Sequence, residues 1–317
     1  MTAYVIRRLL LIFPTLLGVT LLVAAILRLL PGDVVDIMVS ESAGAIDPQQ
    51  LRHELGLDRG FLQFYWDWLT DILRGDFGKT FRGGRPIVDE LRDRFPVTLE
   101  LGLFALLISA LVAIPIGVVA AIRQDTILDY ISRSFAIGAL ALPTFWIATL
   151  AVVFAPRFFG KSFPLFYTPF WENPWANIQH VWAPALILGL AGAGPLMRLT
   201  RSQMLEVLRQ DYIRTAWSKG LRERVVVLRH ALKNAMIPVV TFLGLSIPAL
   251  VGGSVVMESI FVLPGMGQFL MRSLLEREYL AVLAINLLVA VVVVFANLAI
   301  DITYAYLDPR VRFGGEH

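Results

Sequence analysis

Along the chain, apolar positions gather into six long runs separated by polar connections. The runs cover about Leu9–Leu30, Val97–Ile122, Ile131–Ala155, Val181–Leu199, Ala235–Val262 and Leu280–Ile300. A bilayer core about 30 Å thick is crossed by roughly 20 apolar residues in helical form, so each run is long enough to be a membrane helix. The first run follows Arg7 and Arg8, as in a signal peptide. It is longer than the roughly 7–15 apolar residues of such a segment, and it ends in LRLLPGD rather than at a small-residue cleavage site. It is therefore expected to remain as an anchor.

The polar connections set the orientation. Arginine and lysine concentrate at the N-terminus, in the second connection (Arg123, Arg133), in the fourth, and in the tail (Arg310, Arg312). The fourth carries Arg198, Arg201, Arg209, Arg214, Lys219, Arg222, Arg224, Arg229 and Lys233. These regions alternate with the others along the chain, as six spans with both termini cytoplasmic require. The fold class expected is an all-α polytopic membrane protein of six transmembrane helices, with a small outer helical subdomain between the first two.

That subdomain is residues 31–95. Asp47 followed by Pro48 reads as an N-cap with proline at the first helical position; Leu51 and Leu55 line one face of the helix, which stops at Gly56. FLQFYWDWL, Phe61 to Leu69, reads as a second helix with an aromatic face. The next outer connection, Arg157 to His180, is dense in Phe, Tyr and Trp, which suits either an interfacial belt or a contact surface for an external partner.

Composition agrees with this picture. Apolar residues make up 57% of the 317 and charged residues 17%, against about 45–50% and about 25% in soluble domains; mean hydropathy is +0.68. The pI is near 9.3, but the net charge is only +3 and the bases fall in a few connections, so no nucleic-acid face is implied. There is no cysteine, which removes disulfides, thiolate metal sites and cysteine nucleophiles. The histidines (His53, His180, His230, His317) lack metal-ligand spacing.

Two catalytic motifs fail on inspection. GDFGKT, Gly75 to Thr80, has two residues between its glycines where a phosphate loop needs four, and it lies on the outer side. GLS, Gly244 to Ser246, has no histidine in any span to serve as its base. The ionisable residues Arg28, Glu100, Glu258 and Asp301 all fall near span ends, where side chains can reach water. An ion-driven carrier would bury a carboxylate near mid-membrane, so energy for transport is expected from outside this chain. A free-standing carrier or an intramembrane enzyme is disfavoured on the same grounds.

The fifth run contains Pro238, Gly244, Ser246, Pro248, Gly252, Gly253 and Ser254, and the fourth is similarly rich in small residues. Such residues serve close helix packing, or they flank a pathway whose width changes as helices rock. Candidate pathway residues are Ser246, Ser254, Glu258 and Arg28. Glu258 reads either as a partner for the outer segment or as a pathway group, and Arg28 either as an interfacial anchor or as a pathway group.

The stretch Gln210 to Asn234 is too polar to cross a membrane. Leu199, Leu205, Leu208, Tyr212, Ile213, Ala216 and Trp217 continue a helical spacing out of the fourth run. Gly220 is a natural stop for a short helix Asp211 to Lys219, and a second amphipathic run, Glu223 to Asn234, leads to Pro238. The pattern is a helix–glycine–helix hairpin on the cytoplasmic side; a helix lying on anionic lipid would explain the charge but not the break.

These residues resemble a known family. RLTRSQMLEVLRQDYIRTAWSKGL followed by RHALKNAMIPV is similar to the cytoplasmic loop of ABC-importer permeases, specifically the first permease of the dipeptide/oligopeptide and nickel group. RRLLLIFPTLLGVTLLV, LRHELGLDRGFLQFYWDWL, GDFGKTFRGGRPI, MESIFVLPGMGQ and DITYAYLDPRVRF resemble further family segments in the same order, so the resemblance spans the chain. It implies a coupling element at Asp211, Tyr212, Arg214, Thr215, Ala216, Lys219, Gly220 and Leu221, with Asp211 capping the short helix. Trp217 departs from the small or basic residue of the family pattern.

The resemblance also implies partners: a second homologous permease in a heterodimer, two ATPase subunits that bind ATP and Mg, and an extracytoplasmic substrate-binding protein. It implies the bacterial inner membrane, alternating access, no catalytic residue, no metal and no cofactor in this chain. Di- or oligopeptides are the substrates it implies first, with nickel chelates, glutathione or oligosaccharides as alternatives carried by the same machine. The expected organisation is residues 1–30 for the first helix, 31–95 for the outer subdomain, 96–305 for the permease core with its coupling loop at 199–235, and 306–317 for the tail.

Overall fold

The computed structural model describes residues 2–29, 32, 34–41, 47–54, 58–160 and 162–307, with side chains at all of these except 2–9, 40–41, 54, 159, 248–253 and 301–307. Leu55, Gly56, Arg310 and Arg312, and the side chains of Arg7, Arg8, Pro248 and Asp301, therefore lie outside the description. Among the described residues the regular structure is helical, and one isolated bridge pairs Lys79 with Pro86. The helices are α1 (Thr2–Leu29), α2 (Val34–Glu41), α3 (Pro48–Glu54), α4 (Phe61–Leu73), α5 (Ile87–Ile122), α6 (Ile127–Ala141) and α7 (Thr144–Phe159), then α8 (Pro174–Leu208), α9 (Asp211–Ser218), α10 (Glu223–Val225), α11 (Leu232–Ile260), α12 (Met266–Leu275) and α13 (Tyr279–Leu307). A π-helical turn, Val226–Ala231, joins α10 to α11.

Among the described residues five helices are long and apolar enough to cross a membrane, and six if the bent pair of α6 with α7 counts as one span. The pair is a departure from the single third run expected, because the two helices meet at 89°. The cause is Pro143. A residue before proline is pushed out of the helical region, and Leu142 is extended, with φ −91° and ψ 122°. The fourth span also starts earlier than its apolar run. Asn173 caps α8 by accepting the Ala176 N–H at 3.1 Å, with Pro174 next in the chain. His180, expected in the outer loop, therefore lies inside α8 and is fully buried.

The chain divides into two compact units. One comprises Met1–Val97 and Pro264–Phe295. Its aromatic-faced helix forms as the sequence predicts, and Tyr65 and Trp68 are the buried face of α4. They pack with Ala24, Leu27, Val34, Val35 and Leu283. The Tyr65 hydroxyl donates to the Leu17 carbonyl at 3.1 Å and lies 2.9 Å from Thr20 Oγ1, which ties α4 to α1. Asp47 heads α3 as expected, its carboxylate accepting the Gln49 N–H at 2.9 Å.

Neither α2 nor α12 is legible as a separate apolar run. Met266 and Phe269 of α12 are held by Ile87, Leu91, Ala281 and Ile285. GDFGKT is a turn: Gly78 has φ +75°, and its N–H is held by Asp76 Oδ1 at 2.8 Å. The following loop is clamped by the buried Glu278 carboxylate, which accepts the N–H of Phe81 at 2.8 Å and of Arg82 at 2.9 Å. Burial pushes the Glu278 carboxyl above its usual value, opposed by those two N–H groups.

The other unit comprises Thr98–Leu263 and Ala296–His317. Here α8 is the central helix, packed on α6, α7 and α11. Close approach depends on missing side chains. A Cβ on Gly189 would lie 2.7 Å from Ile108 side-chain atoms and 2.9 Å from the Ala105 carbonyl oxygen, and one on Gly117 would lie 2.8 Å from Thr200 Cβ. At the N-terminus of α6, the buried Asp129 carboxylate takes a bidentate pair from Arg201 of α8, with Nε at 2.7 Å and Nη2 at 2.8 Å. Arg133 stands 3.2 Å from the same carboxylate.

Three outcomes are expected. Gly189→Leu overpacks the α5–α8 contact by about 1–3 kcal/mol or more, read as a lowered melting temperature in detergent. Asp129→Asn leaves Arg201 without its counter-charge and costs about 3–5 kcal/mol, while Asp129→Leu with Arg201→Met recovers much of the loss; a double-mutant cycle on thermal stability checks this. Glu278→Ala frees the Phe81 and Arg82 amides, so hydrogen exchange at those two positions accelerates while that of Tyr65 and Trp68 stays as in the parent.

Candidate functional site

The cytoplasmic hairpin is built on an apolar seat. On α9 only Ile213 and Ala216, one turn apart, are buried. They rest on Val118 and Ala121 of α5, Met204 of α8, Val226, Val227 and Ala231 of the π turn, and Ala235 of α11. Ile213 has no exposed surface. Burying a full isoleucine side chain contributes about 1.5–3 kcal/mol, so an eight-residue helix, too short to persist alone, is fixed by its contacts.

The opposite face is open. Asp211, Tyr212, Arg214, Thr215, Trp217, Ser218 and Lys219 are all exposed, as are Arg209, Arg222, Arg224, Arg229 and Lys233 around them. Asp211 does not cap the helix as expected. Gln210 holds the cap position without a side-chain bond, while Asp211 stands in the first turn, 3.7 Å from Arg214. Its favourable effect there comes from the positive end of the helix. Ala216 points into the seat rather than outward.

Gly220 ends the helix in the left-handed region, at φ +76°. Its N–H bonds the Trp217 carbonyl at 2.9 Å, and the Leu221 N–H bonds that of Ala216 at 3.4 Å, the two bonds of a Schellman stop. A Cβ here would meet nothing within 4 Å, so the demand for glycine is conformational. Tyr212 is tied across the hairpin, its hydroxyl accepting from Asn234 Nδ2 at 2.9 Å. The second arm is not a separate helix ending before the membrane. It runs through the π turn directly into α11.

The pathway candidates separate. Arg28 is exposed and donates to the Arg59 carbonyl at 3.0 Å, as an anchor to the outer segment would. Ser246 is half-buried and returns its hydroxyl to the Phe242 carbonyl at 2.8 Å. Ser254 and Glu258 are fully buried. The expectation that Glu258 reaches water from a span end is therefore corrected: its carboxylate accepts from Thr98 Oγ1 at 2.7 Å inside the helix packing.

A polar cluster that no local pattern announces lies at the outer ends of α5 and α8. Glu100 Oε2 accepts from the Tyr167 hydroxyl at 2.6 Å and from Asn177 Nδ2 at 3.2 Å, and Asn177 also reaches the Thr168 carbonyl at 3.0 Å. Burial, with the Glu100 carboxylate beside it, pushes the Tyr167 phenol well above its ordinary value. His180 lies 2.9 Å, through Nε2, from the Phe261 carbonyl. That bond braces the end of α11, where Val262 is forced to φ +55° and the Leu263 N–H bonds the Glu258 carbonyl at 2.8 Å. A left-handed valine is strained by about 1–3 kcal/mol. The bonds of Glu100 and His180 join residues 67 to 81 apart in the chain, so only the fold reveals them. No group of three or more His, Cys, Asp or Glu that could hold a metal occurs among the described residues.

Known proteins place this architecture. Residues 113–313 match the family of binding-protein-dependent transport system inner membrane components, and residues 1–102 match the N-terminal region of such membrane components. The oligopeptide transport system permease protein AppB of Bacillus subtilis is 38% identical, covering 99% of this chain and 100% of the relative. The dipeptide transport system permease protein DppB of Escherichia coli K12 is 36% identical over 98% and 99% of the two chains. Among solved structures, an inward-facing form of the MetNI methionine ABC transporter superposes with a TM-score of 0.53 at 16% identity, covering 69% of this chain and 96% of that one. An amino acid ABC transporter solved with histidines gives 0.54 at 13%, covering 69% and 94%. The order of spans, the family match over most of the sequence and the near full-length relatives agree, and the chain belongs to the family of binding-protein-dependent transport system inner membrane components.

Proposed function

We propose that this chain is the first of two different permeases in a peptide importer, and that α9 is the element its ATPase partner grips. The observation that carries the reading is the division of α9 into two faces. Ile213 and Ala216 fix it to three membrane helices and the π turn, while Asp211, Tyr212, Arg214, Thr215 and Lys219 are left to a partner. Membership of the family entails ATPase and substrate-binding partners. The AppB and DppB relatives, oligopeptide and dipeptide transport permeases, support peptides as the substrate class.

In this reading ATP and Mg are bound by the ATPase subunits, and closure of those subunits pushes on α9. The seat passes the push to α5, α8 and α11 together, because residues of all three enclose Ile213 and Ala216. The spans then rock between outward- and inward-open arrangements, and hydrolysis resets them. This chain contributes helices, packing and a handle to the cycle.

The test exploits Gly220. Asparagine visits the left-handed region at modest cost, whereas valine does not. In the assembled importer, Gly220→Val abolishes substrate-stimulated ATPase and uptake, and Gly220→Asn retains most of both. Asp211→Lys, on the open face, also uncouples the two while leaving membrane insertion and complex assembly intact. Wild-type coupling in Gly220→Val and Asp211→Lys, with normal assembly, would overturn the assignment of α9.

A further inference from the structure

One buried carboxylate ties α6 and the turn before it to the two long helices that wall the seat of α9. Asp129 has no exposed surface and takes the Arg201 fork from α8 on both oxygens, at 2.7 and 2.8 Å. Its Oδ2 also accepts the Asp125 N–H at 3.1 Å, holding the turn between α5 and α6 with Asp125 at φ +60°. Arg133 Nη2 stands 3.2 Å from that oxygen and 3.9 Å from Asp125 Oδ1. Arg201 lies one helical turn before Met204, a seat residue, and on the same face of α8. The turn held at Asp125 follows the end of α5, where Val118 and Ala121 are seat residues. Asp129 therefore closes a ring from one wall of the seat to the other, through α5, the turn, Arg201 and α8.

Helix α6 packs on α8, but the contact does not interlock. The buried residues of α6 are Asp129, Ser132 and Ala136, a face without a large apolar side chain. It meets α8 at Gly194, where an added Cβ would lie 3.0 Å from the Ala136 carbonyl oxygen. Small residues bring the backbones close and leave the register to the polar pair. Among the described residues no α6 side chain belongs to the apolar seat of α9. We propose that Asp129 is a positioning residue for energy coupling: its bond to Arg201 sets the register of α6 on α8, so that a stroke delivered to α9 moves the third span with the fourth. The inference rests on α9 being the element that the ATPase grips. Packing carries the load from α9 to α5 and α8. The bidentate pair, fixed in both distance and direction, hands it to α6, whose far end is the 89° bend at Pro143. A buried ion pair is a weak source of stability beside apolar side chains of similar volume, and its best-attested use is to specify one arrangement.

The test uses the assembled importer in lipid vesicles and reads uptake of a labelled tripeptide per ATP hydrolysed. Asp129→Leu with Arg201→Met keeps the melting temperature near that of the parent, yet lowers this ratio at least about fivefold. Arg201→Lys, which keeps the charge and loses the fork, lowers it less. The chain has no cysteine, so spin labels at Ile131→Cys of α6 and Ser202→Cys of α8, both exposed positions, report the distance between the two helices. In the parent that distance is the same without nucleotide and with ATP and vanadate trapped; in the apolar pair it broadens or differs between the two states. The distance needs no peptide, so it decides even where the tripeptide is not carried. Parent-like coupling in the apolar pair overturns the proposal, as does a parent-like distance in both states, or a parent distance that itself changes between them. If the apolar pair fails to assemble, Arg201→Lys decides on the same readings. Should Gly220→Val and Asp211→Lys uncouple while these variants do not, α9 remains the handle and Asp129 is structural alone. Should those two couple normally, both assignments fall.

Discussion

The burial of Ile213 and Ala216 against Val118, Met204, Val226 and Ala235 is the contact on which the mechanical reading of this protein rests. A two-turn helix in water does not hold its shape, and an unanchored basic loop would only follow its partner's movements. Seating two apolar side chains in a cup made by three long helices changes that. The open face becomes a surface of defined geometry, and any load on it is shared by several spans. The left-handed glycine at 220 completes the arrangement by turning the chain sharply enough for both arms to reach the same cup.

The same economy governs the polar groups inside the unit. In hydrocarbon an unsatisfied polar group is costly, and three carboxylates of the unit that holds Thr98–Leu263 are each met from another helix or loop. Asp129 of α6 is met by Arg201 of α8, Glu258 of α11 by Thr98 of α5, and Glu100 of α5 by Asn177 of α8 and Tyr167 of the outer loop. These pairs join elements that hydrophobic packing alone leaves free to slide. Glycines at 117, 189 and 194 let the backbones come close enough for them to form.

Spans and cytoplasmic hairpin were legible because their causes are local. Apolar runs of about 20 residues, alternating loop charge, and Gly220 after a short amphipathic helix can all be read within a window of a few turns. What escaped the sequence depends on distant partners or on a single residue's geometry. The 89° bend at Leu142–Pro143 lies within one continuous apolar run. The helix at Met266–Leu275 is held by residues near 87 and 281. Glu258 looked wet because it is near a span end, yet Thr98 lies 160 positions away and covers it. Asp211 looked like a cap because aspartate favours that position, but the chain starts the helix one residue earlier, at an unassisted Gln210.

The π turn at Val226–Ala231 lies on the continuous path from the hairpin into α11, against the seat of α9. A π turn accommodates one residue more than an α turn, so relocating it along a helix re-aims each side chain it passes by about 100° without breaking the rod. The fifth span thus carries an adjustable index at its cytoplasmic base. A small advance of the wide turn would change which residues of α11 face its neighbours while both ends of the helix stay where they are.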